Sequence, residues 1–264
     1  MVVSPSCCPG HYSMKPSDVY IVGEADILFY HGYEPWVKRV VEASGSKAVL
    51  VKIGPPLKWH TPEGAAEYYK RVAEALEQHL GIDVSANLNE RLKVLEETFK
   101  AIKAKAEELH VSEYNVICMK WQVSFVKWLG FNVVAEYPPP EKLSPKDLEK
   151  LVEIGKKENV SIVIDNLQSG IEFGKTLSEK IGAVHVVLSS FPGTEKDVEN
   201  VPALIERNAE KLFSAVKECR LKIELLKAKS EIELYQTLSY SLIAVVVVEA
   251  VMLGYSLRRF RKGS

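Results

Sequence analysis

Apolar residues recur along this chain with two alternating periods. From Ala86 the sequence reads ANLNERLKVLEETFKAIKAKAEELH, with apolar residues at Leu92, Leu95, Phe99, Ile102, Ala106 and Leu109. Steps of three and four make one stripe on an α-helix of about six turns, Asn87 to His110. Asn87 followed by Glu90 has capping-box spacing, and neither Gly nor Pro interrupts the run. On either side, short apolar runs alternate with helical patterns. The runs predict strands at Asp26–Tyr30, Ala48–Ile53, Asn115–Met119, Asn132–Glu136, Ser161–Asp165 and Val184–Leu188, and the end of one at Met1–Ser4. Helices are expected over 19–24, 35–43 and 123–129. Others open at Thr61-Pro62 and at Ser144-Pro145, run over 171–181, and start near Val201.

This order predicts an α/β chain of two lobes, each built of parallel-sheet α/β units, joined by one long helix with a ligand cleft between the lobes. The boundaries are 1–86 for the N-terminal lobe, 87–110 for the linking helix and 111–216 for the C-terminal lobe. Open parallel sheets bind ligands beyond the carboxyl ends of their strands. Those ends are the loops Cys8–Tyr12, His31-Gly32, Leu57–Thr61, Met119–Gln122, Asp165–Gln168 and Ser189–Phe191, where polar and aromatic residues gather.

The tail changes the class. LSYSLIAVVVVEAVMLGYSL, residues 238–257, contains one charge, Glu249. It is long enough to span a hydrocarbon core of about 30 Å, so a C-terminal transmembrane helix is expected. Residues 217–237 make a stalk before it, and 258–264 a basic tail holding Arg258, Arg259, Arg261 and Lys262. The positive-inside tendency puts that tail in the cytoplasm and the main body outside the cell membrane, as a single-pass protein. A charge at Glu249 is costly in lipid and should face a protein partner or be neutralised. MVVSPSCCPGHY has neither a basic n-region nor an apolar h-region. An exported chain of this kind either starts beyond its signal or is inserted by its own tail.

Composition narrows the rest. Apolar residues make up 47% of 264, enough for real cores, and the net charge of −1 leaves no footprint for nucleic acid. Four cysteines are too few for a disulfide scaffold, and the adjacent Cys7 and Cys8 are poorly placed to bridge each other. Cys8 and His11 stand three apart in one loop and could begin a zinc-like site, with His60 or Cys118 completing it. Trp59 and Trp121 could hold a flat or cationic ligand, and Lys120 beside Asp165 could form an ion pair. A thiol-dependent enzyme using Cys7 or Cys8 with His11 is a rival reading, but no loop carries a nucleophile, base and orienting acid in recognisable spacing. An anchored adhesion or scaffold protein is another.

Longer stretches carry a resemblance. HYSMKPSDVYIVGEADILFYHGYEPWVKRV (11–40), WHTPEGAAEYYKRVAEAL (59–76), VICMKWQVSFVKWLGFNV (116–133), EKLSPKDLEKLVEIGKKENVSIVID (141–165) and IERNAEKLFSAV (205–216) are together similar to the metal-binding receptors of ABC importers for zinc and manganese. The resemblance spans roughly residues 1–216 and implies two α/β lobes joined by a long helix. It also implies an ABC permease and its ATPase as partners, a divalent transition metal as the transported ligand, and no catalysis. The chain would then lack the family's signal and first strand–helix unit.

The family's ligand pattern is altered. His11 is one residue off register, with Gly10 in the matching place; Leu57 takes the second ligand position while His60 follows Trp59. Lys120 stands for the third histidine, Ser189 for the last acid, and Asp165 matches an acidic position. The expected metal ligands are therefore His11, Cys8, His60 and Asp165. The expected cleft residues are Trp59, Met119, Lys120, Trp121, Asn166, Gln168 and Ser189. The cargo is expected to be a transition-metal ion of zinc or manganese type, with a metal chelate or small organic molecule as the alternative.

Overall fold

Among the described residues six strands form, and all of them pair in parallel. The computed structural model describes residues 2–54, 58 and 60–262. Strands β1 (Ile27–Tyr30) and β2 (Val49–Lys52) make a two-stranded sheet. Strands β3 (Asn115–Met119), β4 (Asn132–Tyr137), β5 (Ile162–Asn166) and β6 (Val184–Leu188) make a second sheet in the order β4-β3-β5-β6. Every residue of β5 is buried, as expected of a strand with helices on both faces.

The order of the larger sheet fixes where a ligand can sit. From β3 the chain steps outward to β4, then returns past β3 to lay down β5 and β6. The connections leave the ends of β3 and β5 in opposite directions, which opens a crevice at those carboxyl ends. The loops there hold Lys120–Gln122 and Leu167–Ser169.

The helices show their causes locally. Helix α1 (Pro16–Gly23) is capped by Asp18, whose carboxylate accepts from the Lys15 N–H at 2.7 Å. Helix α2 is Val37–Ser44. Helix α3 (Pro62–Leu80) starts with Pro at its first position, has the Thr61 hydroxyl accepting from the Gly64 N–H, and ends at Gly81 with φ 66°. Helix α5 is Val123–Leu129, and α6 (Pro145–Lys157) opens with the reciprocal Ser144–Asp147 box. Helix α7 is Glu172–Ile181.

The long helix, α4, spans Ser85–Glu108, two residues earlier at each end than the apolar stripe suggests. It is started by Asp83, which accepts from the Ser85 N–H at 2.8 Å, so Asn87 and Glu90 lie inside the helix. Its buried face carries Leu95, Phe99, Ile102 and Ala106 and packs on α3 and α5. Phe99 meets Trp128 edge-on at 4.9 Å. Lys103 reaches the carbonyls of Trp128 and Leu129 at 2.9 and 3.2 Å, satisfying the end of α5 where a positive charge is favoured. No strand forms at residues 2–4: Val2 and Val3 pack instead on the cluster of Val22, Trp36, Val37 and Val40. Pro5 follows and cannot extend a ladder.

Residues Met1–Val216 form one compact unit and Lys217–Ser264 a second. Helix α8 is Val201–Lys262. Its apolar part includes an 18-residue window of mean hydropathy 1.9, none of it buried, which by length and composition is enough to cross a membrane.

Candidate functional site

A cavity of about 330 Å³ opens at the strand ends, walled by residues of both halves of the first unit. From the first half come Cys8, His11, His31 and Tyr33; from the second, Trp121, Asn166, Gln168 and Phe191. That volume lies at the small end of organic-ligand sites.

The first wall is set by two turns. The Pro9 carbonyl accepts from the buried Trp36 indole N–H at 2.8 Å, which pins the Cys8–His11 turn to the start of α2. The second turn, His31–Glu34, follows β1 and closes on its own glutamate. The Glu34 carboxylate accepts from the N–H groups of His31, Gly32 and Tyr33 at 2.8–3.0 Å and from His31 Nδ1 at 2.7 Å. Gly32 takes φ +100°, which a side chain would resist. Burial disfavours the Glu34 charge, but the His31 ring and backbone donors outweigh it and carry the pKa down to about 2. With Nδ1–H given to Glu34, the His31 Nε2 accepts from the Tyr68 hydroxyl at 3.0 Å. Burial raises the Tyr68 pKa, which keeps that hydroxyl a donor. The His31 ring sits 5.5–6.1 Å from the rings of Tyr33, Tyr68 and Phe191.

One prediction arises from this turn. Glu34→Gln is expected to cost about 2 kcal/mol, because charge-assisted acceptors lose their charge. The folded pKa lies below the unfolded one, so the contribution is present above pH 4.5 and is lost as pH falls through about 2. Urea unfolding at pH 6 and pH 3 checks it: the gap between variant and parent should narrow at the lower pH.

The second wall is an amide network. Asn166 Nδ2 donates to Ser190 Oγ at 2.6 Å and to Gln168 Oε1 at 3.3 Å. Gln168 Nε2 donates to Ser189 Oγ at 2.9 Å and to the Pro5 carbonyl at 2.8 Å. Below them Asn208 of α8 clamps the Ser189 backbone through its N–H and its carbonyl, at 3.1 and 2.9 Å. The order β5–β6 places these two loops side by side, so residues 20-odd positions apart meet.

The candidate ligands fall in three places. Cys8 and His11 line the cavity; His11 is exposed and stands 3.5 Å from Glu141. His60 is buried behind it, 3.3 Å from the Ser190 carbonyl and edge-on to Phe125. Burial, opposed in part by that carbonyl, lowers its pKa to about 3, so its ring is neutral. Asp165 lies inside the core with both oxygens engaged: Tyr137 donates to Oδ1 at 2.5 Å, and His185 Nε2 lies 2.8 Å from Oδ2. Its partner is thus His185 and not Lys120, which is exposed. Among the described residues no group of three His, Cys, Asp or Glu converges to hold a metal ion.

Of the cleft residues, Trp121, Asn166 and Gln168 line the cavity. Ser189 lies buried in the network beneath it, and Met119 is in the core with Ile117, Tyr137 and Leu177. Trp59 and the ligand position Leu57 fall outside the described residues. Glu34, Tyr68 and Glu141 are not among the site residues expected from the sequence, and His185 has no partner expected there. Glu34 had a signal, an acid three residues after a strand-end His-Gly. His185 had one too: β5–β6 register pairs it with Val163, and Asp165 is the next residue on that face.

The family described as zinc-uptake complex component A, periplasmic (ZnuA) matches residues 1–215. Among curated proteins no sequence relative matches. A solved structure of ZnuA is 17% identical, covering 81% of this chain and 89% of that one, with TM-score 0.65. The solute-binding protein FpvC from Pseudomonas aeruginosa in complex with Mn²⁺ is 15% identical, covering 82% and 89%, with TM-score 0.66. A mutant of the laminin-binding adhesin Lmb from Streptococcus agalactiae is 17% identical, covering 81% and 89%, with TM-score 0.67. These likenesses share the parallel α/β architecture described above. With the family match covering nearly all of the first unit, the chain belongs to the ZnuA family of solute-binding proteins, which are transport receptors and not enzymes.

Proposed function

We propose that this chain is the extracytoplasmic receptor of an ABC importer, working with a permease and its ATPase. In this reading residues 238–257 anchor it as a single-pass protein with a cytoplasmic C-terminus. The anchor rests on the length and apolarity of the α8 segment and on the basic residues after it. The cargo is a divalent transition metal carried as a complex with a small organic ligand. Metal cargo is supported by similar solved structures that hold zinc, Ni²⁺ and Mn²⁺.

The complexed form is favoured over a bare ion by one observation. Zinc takes about four donors at 2.0–2.3 Å, and no three such donors converge among the described residues. The cavity offers instead ring surfaces, amides and a volume suited to an organic molecule. A ligand that brings most of its own donors to the metal needs only stacking and a few contacts from Trp121, Tyr33 and Cys8 or His11.

Elemental analysis joined to native mass spectrometry, on the full chain purified from its own membranes, tests this. Bound metal together with added organic mass is expected. Metal alone would overturn the complexed form, and absence of metal would overturn metal cargo. Stripping the cargo is also expected to lower stability, since a ligand at a hundred times its dissociation constant contributes about 2.7 kcal/mol.

A further inference from the structure

The second unit carries an apolar stripe that the receptor function does not use. From Leu221 steps of four and three reach Leu225, Ala228, Ile232 and Tyr235 on one face of α8. The same steps continue through Leu242, Val246 and Leu253 in the apolar segment, and the large side chains of the stripe are all more than half exposed. Only Ser239 and Glu249 interrupt it. The neighbouring stripe through Ile223 and Leu226 fails at once, at Ser230 and Glu233. A stripe of period 3.5 kept for more than four heptads is the pattern of a left-handed coiled coil.

We infer that α8 pairs in parallel with α8 of a second copy of this chain along this stripe. Charge selects both the occupant and the direction. With Leu225 and Ile232 at a positions and Leu221, Ala228 and Tyr235 at d, Glu224 and Glu231 take g while Lys222 and Lys229 take e. In a parallel pair Glu224 of each helix faces Lys229 of the other, giving two opposite-charge contacts. An antiparallel pair would set g against g and e against e, Glu against Glu and Lys against Lys. Lys222 has its own partner, Glu218, at 3.0 Å within the same helix. The parallel direction rests on the anchoring proposed above, since two copies held by the same tail enter lipid the same way. Confinement to one membrane raises their effective concentration without any new contact. The stripe also turns Glu249 toward the second copy and away from lipid.

Disulfide trapping of the full chain in membranes tests the face, with native cysteines changed to alanine and single cysteines introduced. Ile232→Cys and Tyr235→Cys should form covalent dimers, and Ser230→Cys and Leu234→Cys, on the outer face, should not. Equal trapping from both faces, or none from Ile232→Cys, overturns the pairing. Charge variants of the otherwise native chain keep the test independent of that background. By light scattering in mild detergent, Glu224→Lys is expected to weaken dimerisation by about tenfold, from two attractive contacts turned repulsive. Adding Lys229→Glu should restore it; a monomeric parent, or no restoration, overturns the proposal. Alkaline extraction of the same membranes reads the anchor separately, and neither readout depends on the cargo.

Discussion

Acidification from pH 6.5 toward pH 3 is expected to destabilise the first unit steeply, with His60 as a principal cause. The ring is buried, and desolvation lowers its pKa from 6.5 to about 3 despite the Ser190 carbonyl. Below pH 6.5 the unfolded chain takes a proton on this residue that the folded chain refuses. Its contribution is therefore complete above pH 6.5 and is lost as pH falls toward 3, by up to about 1.4 kcal/mol per pH unit. His60→Gln keeps a donor for the carbonyl and does not titrate. Urea midpoints followed by tryptophan fluorescence at pH 7, 5.5 and 4 should fall less steeply in the variant. Parallel slopes would mean that the folded chain protonates His60 as readily as the unfolded one.

Gly174→Ala is expected to be the most damaging small substitution. Gly174 lies in α7 where the helix crosses β5, and a Cβ there would fall on the Asp165 carboxylate. The carboxylate cannot retreat, because Tyr137 and His185 hold it from other directions and it is fully buried. Overpacking together with the loss of buried hydrogen bonds to this carboxyl group costs about 3–5 kcal/mol. Gly155→Ala in α6 is the control. Its Cβ would meet the Ile181 side chain at 2.8 Å, but Ile181 is only partly buried and can turn aside. Its cost should stay near 1 kcal/mol, offset by the better helix propensity of Ala. Similar thermal shifts for the two variants would show that the Asp165 cluster yields more easily than this packing implies.

The strands and short helices of the C-terminal half were legible because their causes are local. Asn115–Met119, Val123–Leu129 and Val184–Leu188 run between the residues their apolar patterns mark. Ser144 and Asp147 cap α6 as their spacing requires. Helix α4 starts two residues before the apolar stripe marks, where Asp83, outside the stripe, accepts from the Ser85 N–H. The site was less legible. Strand ends were found by pattern, but which side chains turn into the cavity depends on sheet order, and no periodicity encodes that His11 lies beside Glu141. Burial is not legible in the pattern either: of the expected ligands, Asp165 lies in the core beside His185, and His60 lies against the Ser190 carbonyl.

The amide network beneath the cavity has a consequence for selectivity. Asn166 and Gln168 each have two side-chain N–H donors, and all four are already committed, to Gln168, Ser190, Ser189 and the Pro5 carbonyl. A guest resting there gains little by accepting from these amides, since each such bond displaces an old one. If the cargo is the complex proposed above, discrimination would fall to outline and ring stacking, and the receptor would tolerate several complexes of similar silhouette while rejecting those too bulky to enter.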